Sequence, residues 1–167
     1  MTHPVARNGL FAYLDKLGIQ TTTVDHSATH TVEQSSAVDL GLPGAHTKNL
    51  FLKDEDGALV LVIAKSSTTV DLKRLAKKLG GARFSFAKPD LLQAHLGVAP
   101  GSVTAFAIMN DQSHRVAVIM DKELEAAGSL NCHPLENTAT TNIALADLLR
   151  FIASTGHELR FMTLTGP

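Results

Sequence analysis

Between Val5 and Leu17 the apolar residues Leu10, Phe11, Leu14 and Leu17 recur at helical spacing, and Gly18 supplies a stop. The β-prone run Ile19 to Val24 predicts a strand, and the polar stretch Asp25 to Thr31 a loop. A short helix is predicted over Val32 to Leu40, ended by Gly41-Leu42-Pro43-Gly44, where proline and two glycines forbid continuation. Two β-rich runs, Lys48 to Lys53 and Ala58 to Ala64, flank Asp54-Glu55-Asp56-Gly57, the composition of a hairpin turn.

From Asp71 to Leu79 the pattern is helical again: Leu72, Leu75, Ala76 and Leu79 form one stripe, with Lys73, Arg74, Lys77 and Lys78 clustered opposite. Gly80-Gly81 ends this helix, Arg83 to Phe86 predicts a strand, and Pro89 suits the first turn of a helix reaching Leu96. After the loop Gly97 to Ser102, strands are predicted over Val103 to Met109 and Arg115 to Met120 around a turn at Asn110-Asp111, with a further short strand over Leu130 to His133. A helix with Leu145, Leu148, Leu149 and Ile152 buried closes the chain, and a last strand, Glu158 to Leu164, follows Gly156. Irregular alternation of strands and helices with at least one hairpin predicts an α/β fold with a mixed sheet.

The 167 residues suit one domain over 1–167, large enough for a core without staples. A single cysteine, Cys132, excludes an internal disulfide and a multi-cysteine zinc module. Residues 1–7 carry no charged region leading into an apolar run, and the longest apolar run, Ala58 to Ala64, has strand length, so neither signal peptide nor membrane helix is expected and the location is expected to be cytoplasmic. The formal charge of −1 argues against non-specific nucleic-acid binding, yet residues 48–88 carry +5 and the remainder −6. That asymmetry is either a face for phosphates or an ordinary solvated helix surface. GxGxxG, Walker A, HExxH and GxSxG are all absent.

Lys48 shares its strand face with Leu50 and Leu52, so it either points into an apolar pocket as an anion or carbonyl ligand or begins the strand and snorkels to water. Gly101, after Pro100 and before a predicted strand, is either a close-approach site for a ligand or a turn glycine. Cys132 and His133 are neighbours on a strand and point to opposite faces, which argues against a Cys-His nucleophile; His133 is then a pocket wall or a structural residue before Pro134. His26 and His30 have i,i+4 spacing without a helical pattern, and no metal is predicted.

Three segments, Gly44-Ala45-His46-Thr47-Lys48-Asn49-Leu50-Phe51-Leu52, Leu96-Gly97-Val98-Ala99-Pro100-Gly101-Ser102-Val103-Thr104 and His133-Pro134-Leu135-Glu136-Asn137-Thr138-Ala139-Thr140-Thr141, resemble the YbaK/ProX family, free-standing relatives of the editing domain in bacterial prolyl-tRNA synthetases. The resemblance implies a barrel-like mixed sheet surrounded by helices and hydrolysis of the ester between a wrong amino acid and tRNA(Pro). Lys48 takes the place of the essential lysine, Gly101 begins the G-x-x-x-P loop with Ala105 standing for its proline, and His133 takes the place of the histidine that limits pocket size. Ser102, Asn49, Asn137 and Thr138 of the same motifs are implied substrate contacts. Lys73, Arg74, Lys77 and Lys78 are candidates for acceptor-stem phosphates. The motif forms look most like the ProX branch, which clears alanyl-tRNA(Pro). Clearance of cysteinyl-tRNA(Pro) or of another aminoacyl-tRNA, or a non-catalytic RNA-binding module, are the alternatives. No cofactor is implied, and prolyl-tRNA synthetase is left open as a physical partner.

Overall fold

The computed structural model describes residues 5–27 and 41–165. The helix predicted over Val32 to Leu40 lies outside them. The elements are α1 (Arg7–Lys16), β1 (Thr22–Asp25), β2 (Ala45–Asp54), β3 (Leu59–Lys65), α2 (Leu72–Lys78), β4 (Phe84–Phe86), α3 (Pro89–Leu96), a 3-10 helix (Ala105–Asn110), β5 (Val116–Asp121), a short 3-10 turn (Lys122–Leu124), β6 (Ser129–Cys132), β7 (Ala139–Ala144), α4 (Leu145–Ser154) and β8 (Leu159–Met162).

The eight strands make one mixed sheet in the order β1-β7-β6-β2-β3-β5-β8, with β4 beside β2. The hairpin is where turn chemistry predicts it: β2 and β3 pair antiparallel, and the Asp54 carboxylate accepts the amides of Asp56 and Ala58. Both faces of β3 are buried, so its sequence is a continuous apolar run rather than an alternation. Leu59, Leu61 and Ile63 enter the main core, which α1, α3, the 3-10 helix and α4 help to close; Val60, Val62 and Ala64 enter a second core under α2. In α2, Asp71 caps the amides of Lys73 and Arg74, and Leu75 and Ala76 are its buried residues.

Three predictions needed correction. Val103 to Met109 is not a strand: Thr104 Oγ1 accepts the Phe106 amide, and a 3-10 helix runs from Ala105 to Asn110. Residues 105–108 are buried on every side, which erases the periodicity that separates strand from helix. β7 was not foreseen, because the side chains it buries include Thr140 and Thr141, which bond to His26 and Thr23. Finally, β2 begins at Ala45, three residues before the predicted strand, and its polar start pairs with β6.

That early start matters. One edge of β2 is paired along its length with β3, while the other is shared: Ala45 and His46 pair in parallel with Leu130 and Asn131 of β6, and Leu52 to Asp54 pair with β4. Between those partners no strand pairs with this edge among the described residues. His46 O accepts from Ser66 on the β3 side and Phe51 O from Ala87 on the other, so by alternation the Thr47 N–H belongs to the seam with β6, while the Thr47 C=O and the N–H and C=O of Asn49 are directed into the gap.

Candidate functional site

Lys48 sits where β6 parts from β2. Its register partner across β3 is Ala64, so its side chain is on the face of the second core, with Leu50 and Leu52. The β2–β6 register pairs His46 with Asn131. His133, the predicted strand end, is the first residue beyond β6, and the register continued by two residues would set it beside Lys48. Thr47 Oγ1 holds the seam to this point by donating to Asn131 O at 2.7 Å. Lys48 is half-buried, and no carboxylate pairs with it among the described residues.

His133 is held from behind. Its Nδ1 lies 2.9 Å from Ala139 O, and a carbonyl can only accept, so Nδ1 carries the proton and Nε2 presents a lone pair. Its ring centroid is 6.2 Å from that of His26, whose Nε2 meets Thr140 Oγ1 at 2.9 Å. Burial lowers the His133 pKa; the Ala139 carbonyl opposes this and the charge of His26 adds to it. The neutral imidazole is therefore favoured.

A folded-state pKa below the ordinary value of 6.5 means that the unfolded chain binds the proton more readily. The contribution of His133 to stability is complete above pH 6.5 and lost as the pH falls toward the lowered folded value. Urea titrations at a series of pH values should show wild type losing stability over that range and His133→Gln losing less; equal slopes would contradict the assignment.

Cys132 lies on the opposite face in the main core, as alternation requires. Burial pushes its thiol up to about 11, although the Thr47 hydroxyl 3.7 Å away pulls slightly the other way. It is an inert core residue rather than a nucleophile.

The remaining candidates do not all converge. Asn49 faces away from Lys48, across from Ile63 of the main core, and its Oδ1 is buried without a partner among the described residues. Gly101 lies in the loop between α3 and the 3-10 helix, with φ of +91°, a conformation suited to glycine. Val98 and Val103 of this loop pack with the main core, Ser102 is buried, and no hydrogen bond among the described residues joins the loop to Lys48. Ala105 is fully buried at the first position of the 3-10 helix, a backbone position that suits proline, and packing pins it there. Asn137 is half-buried in the β6–β7 turn. Thr138, exposed in the same turn, donates to Glu136 Oε1 and accepts the His26 amide at its carbonyl.

The four cations of α2 are all exposed, but they are not equivalent. Arg74 pairs with Asp71 at 3.3 Å, and Lys78 Nζ donates to Thr163 O. Lys73 and Lys77, one turn apart, have no such partner among the described residues.

Sequence reasoning missed the polar network beside Lys48. Asn142 Nδ2 lies within 3.0 Å of Asn131 Oδ1, Ser129 Oγ and Pro43 O, and Asn131 Nδ2 donates to Pro43 O, pinning the entry to β2 against β6 and β7. With β7 unrecognised, nothing along the chain indicated that Asn142 and Thr140 join this face. His26, considered only as a metal ligand, instead meets Thr140 Oγ1 beside the His133 ring; His30 lies outside the described residues.

A family model described as an aminoacyl-tRNA editing domain matches residues 26–151. The prolyl-tRNA editing protein ProX of Acetoanaerobium sticklandii is 33% identical over 160 residues, covering 95% of this chain and 98% of that protein. The prolyl-tRNA synthetase associated domain-containing protein 1 of Danio rerio is 37% identical over 153 residues, covering 90% and 83%. Among solved structures, one assigned as a trans-editing enzyme for prolyl tRNA synthetase superposes with a TM-score of 0.73 at 19% identity over 96% of this chain and 97% of that one, a likeness of fold.

Proposed function

The chain belongs to the family of aminoacyl-tRNA editing domains, and on that premise we propose that it is a trans-editing hydrolase that removes alanine from mischarged tRNA(Pro). The observation that carries this reading beyond the family is Lys48 standing where the β2–β6 seam ends, with no carboxylate partner among the described residues; continued along that seam, the register leads to His133, whose burial favours the neutral ring.

Hydrolysis adds water across the ester, releasing the amino acid and leaving the terminal ribose hydroxyl free. Three things are needed: an anchor for the tRNA end, a small compartment for the amino-acid side chain, and donors for the oxyanion that develops. In this reading Lys48 supplies the charge that holds the terminal phosphate or ester region. The Gly101 loop supplies a side-chain-free approach for the carbonyl and the water, with Ser102 beside it. The ribose hydroxyl of the tRNA orients the water, so the substrate assists its own cleavage. His133, neutral and braced by Ala139, bounds the side-chain compartment, and a rigid wall discriminates against larger side chains by steric exclusion. For Asn49 the motif is the support, since its side chain lies on the face opposite Lys48. For Asn137 and Thr138 only the motif speaks, and the Thr138 hydroxyl is already engaged by Glu136.

The test is deacylation of alanyl- and cysteinyl-tRNA(Pro) side by side. Selective loss of alanine is the expected result. Preferential loss of cysteine would transfer the assignment to that ester, and turnover of neither would favour a non-catalytic RNA-binding module. Measurements in the presence of prolyl-tRNA synthetase separate partnership from independent action: an unchanged rate would argue against a physical partner.

Lys73 and Lys77 are proposed to meet acceptor-stem phosphates. Replacing both by glutamate should lower the slope of log affinity against log salt by about 1 to 2, since each phosphate contact contributes roughly 0.7 to 0.9. An unchanged slope, measured with uncharged tRNA(Pro), would remove α2 from the interface.

A further inference from the structure

Phe86 is the one exposed large hydrophobic side chain among the described residues, at 62% relative exposure. The fold does not account for it. β4 is a three-residue strand, and its inward aromatic is Phe84, which enters the second core; Phe86 stands beyond that core's edge. Its register partner is Leu52, which places it on the face that carries Leu50 and Lys48. Four residues along β2 and one strand across amount to about 14 Å from Lys48. α2, whose Lys73 and Lys77 have no ion-pair partner among the described residues, packs beside β4.

An aromatic face in water beside a line of cations is the arrangement that binds single-stranded nucleic acid: cations follow the phosphates and rings stack on bases of any identity. About 14 Å spans at most some four stacked nucleotides at about 3.4 Å each. We propose that Phe86 is a stacking platform for a base of the single-stranded 3′ end of tRNA, upstream of the nucleotide whose ester lies at Lys48. This rests on the hydrolase reading for the identity of the strand. The contact lies outside the chemistry, so Phe86 is a positioning residue that holds the end in register with the mouth between β6 and β4.

The chain has no tryptophan, so Phe86→Trp creates a sole indole reporter at the platform. Titrated with an oligoribonucleotide ending in CCA, its fluorescence should be quenched, and an abasic strand of the same length should leave it unchanged. Phe86→Ala should weaken binding of the base-containing oligonucleotide by about 5- to 100-fold, and Phe86→Tyr should restore it. In deacylation of alanyl-tRNA(Pro) the loss in Phe86→Ala should fall on KM rather than kcat. Equal fluorescence responses to the two strands, or unchanged binding in Phe86→Ala, would overturn the platform. If wild type hydrolyses the ester and no base-dependent quench occurs, only the platform falls. Quenching without hydrolysis leaves the platform standing and overturns the hydrolase reading, and absence of both overturns both. Phe86 is exposed, so the variants should keep wild-type stability within about 0.5 kcal/mol, which thermal melting checks.

Discussion

Lys48→Ala is expected to lower kcat/KM for alanyl-tRNA(Pro) by about 100- to 1,000-fold, the usual cost of deleting one preorganised electrostatic contact to a reacting centre. Its ammonium is half-buried and unneutralised among the described residues, so its charge is available to a ligand instead of being spent on an internal carboxylate. For the same reason the substitution should leave the melting temperature unchanged or raise it, because a partly desolvated cation with no partner contributes no stability. Lys48→Arg should recover little activity: the planar guanidinium cannot reproduce a compact point charge on a flexible stem. Single-turnover deacylation together with thermal melting checks both halves, and an alanine variant with the wild-type rate would displace Lys48 from the centre of the mechanism.

Gly44→Ala should have the largest effect on stability. Gly44 has φ of +84°, and a Cβ there would lie 2.3 Å from Ser129 Oγ and 2.4 Å from Ser129 O. The left-handed backbone costs an L-residue about 1 to 2 kcal/mol, and moving β2 away from the Ser129 backbone adds roughly 1 to 3. The displaced seam is the one that carries Asn131, Asn142 and Pro43, so the mouth beside Lys48 would distort with it. A total of about 2 to 5 kcal/mol corresponds to a melting temperature roughly 5 to 20 °C lower in a chain of this size. Gly57→Ala is the control. Gly57 has a comparable φ of +90° with nothing within 4 Å of its would-be Cβ, so only the backbone cost should appear. Equal losses in the two variants would show that the contact with Ser129 is not what requires glycine.

The elements that were legible in the sequence share a physical property: their signals act within a few residues. Pro89 opens α3 and Gly97, at φ of +66°, closes it, both by local backbone chemistry. The Asp54 to Gly57 turn carries its own hydrogen bonds, and the Asp71 cap with the stripe of Leu75 and Ala76 makes α2 readable as it stands. Where neighbours from elsewhere supply the environment, local reading failed. The segment Ala105 to Ile108 is apolar on all sides because the core surrounds it, so its sequence does not distinguish strand from 3-10 helix. β7 buries threonines whose hydroxyls are satisfied by Thr23 and His26, and a half-polar strand carries no apolar alternation to detect.

The site divides in the same way. Period-two alternation alone separated Cys132 from His133 and set Lys48 with Leu50 and Leu52, because the side-chain period of a strand is a local constraint. The motif grouped Asn49 with Lys48, and the same period sends their side chains to opposite faces. What brings Lys48 toward His133 is the parallel seam of β2 and β6, closed by a hydrogen bond between residues 84 positions apart. The opening beside them exists because β2 exchanges β6 for β4 along one edge. By itself the sequence determined α1 to α4, the hairpin and the family, and it singled out Lys48. Only the tertiary structure decided which residues share the face of that lysine, that two of the four cations of α2 are already engaged, and that Phe86 stands exposed beside them. Strand partnership and side-chain pairing are long-range contacts, settled by packing rather than by the residues adjacent in the chain.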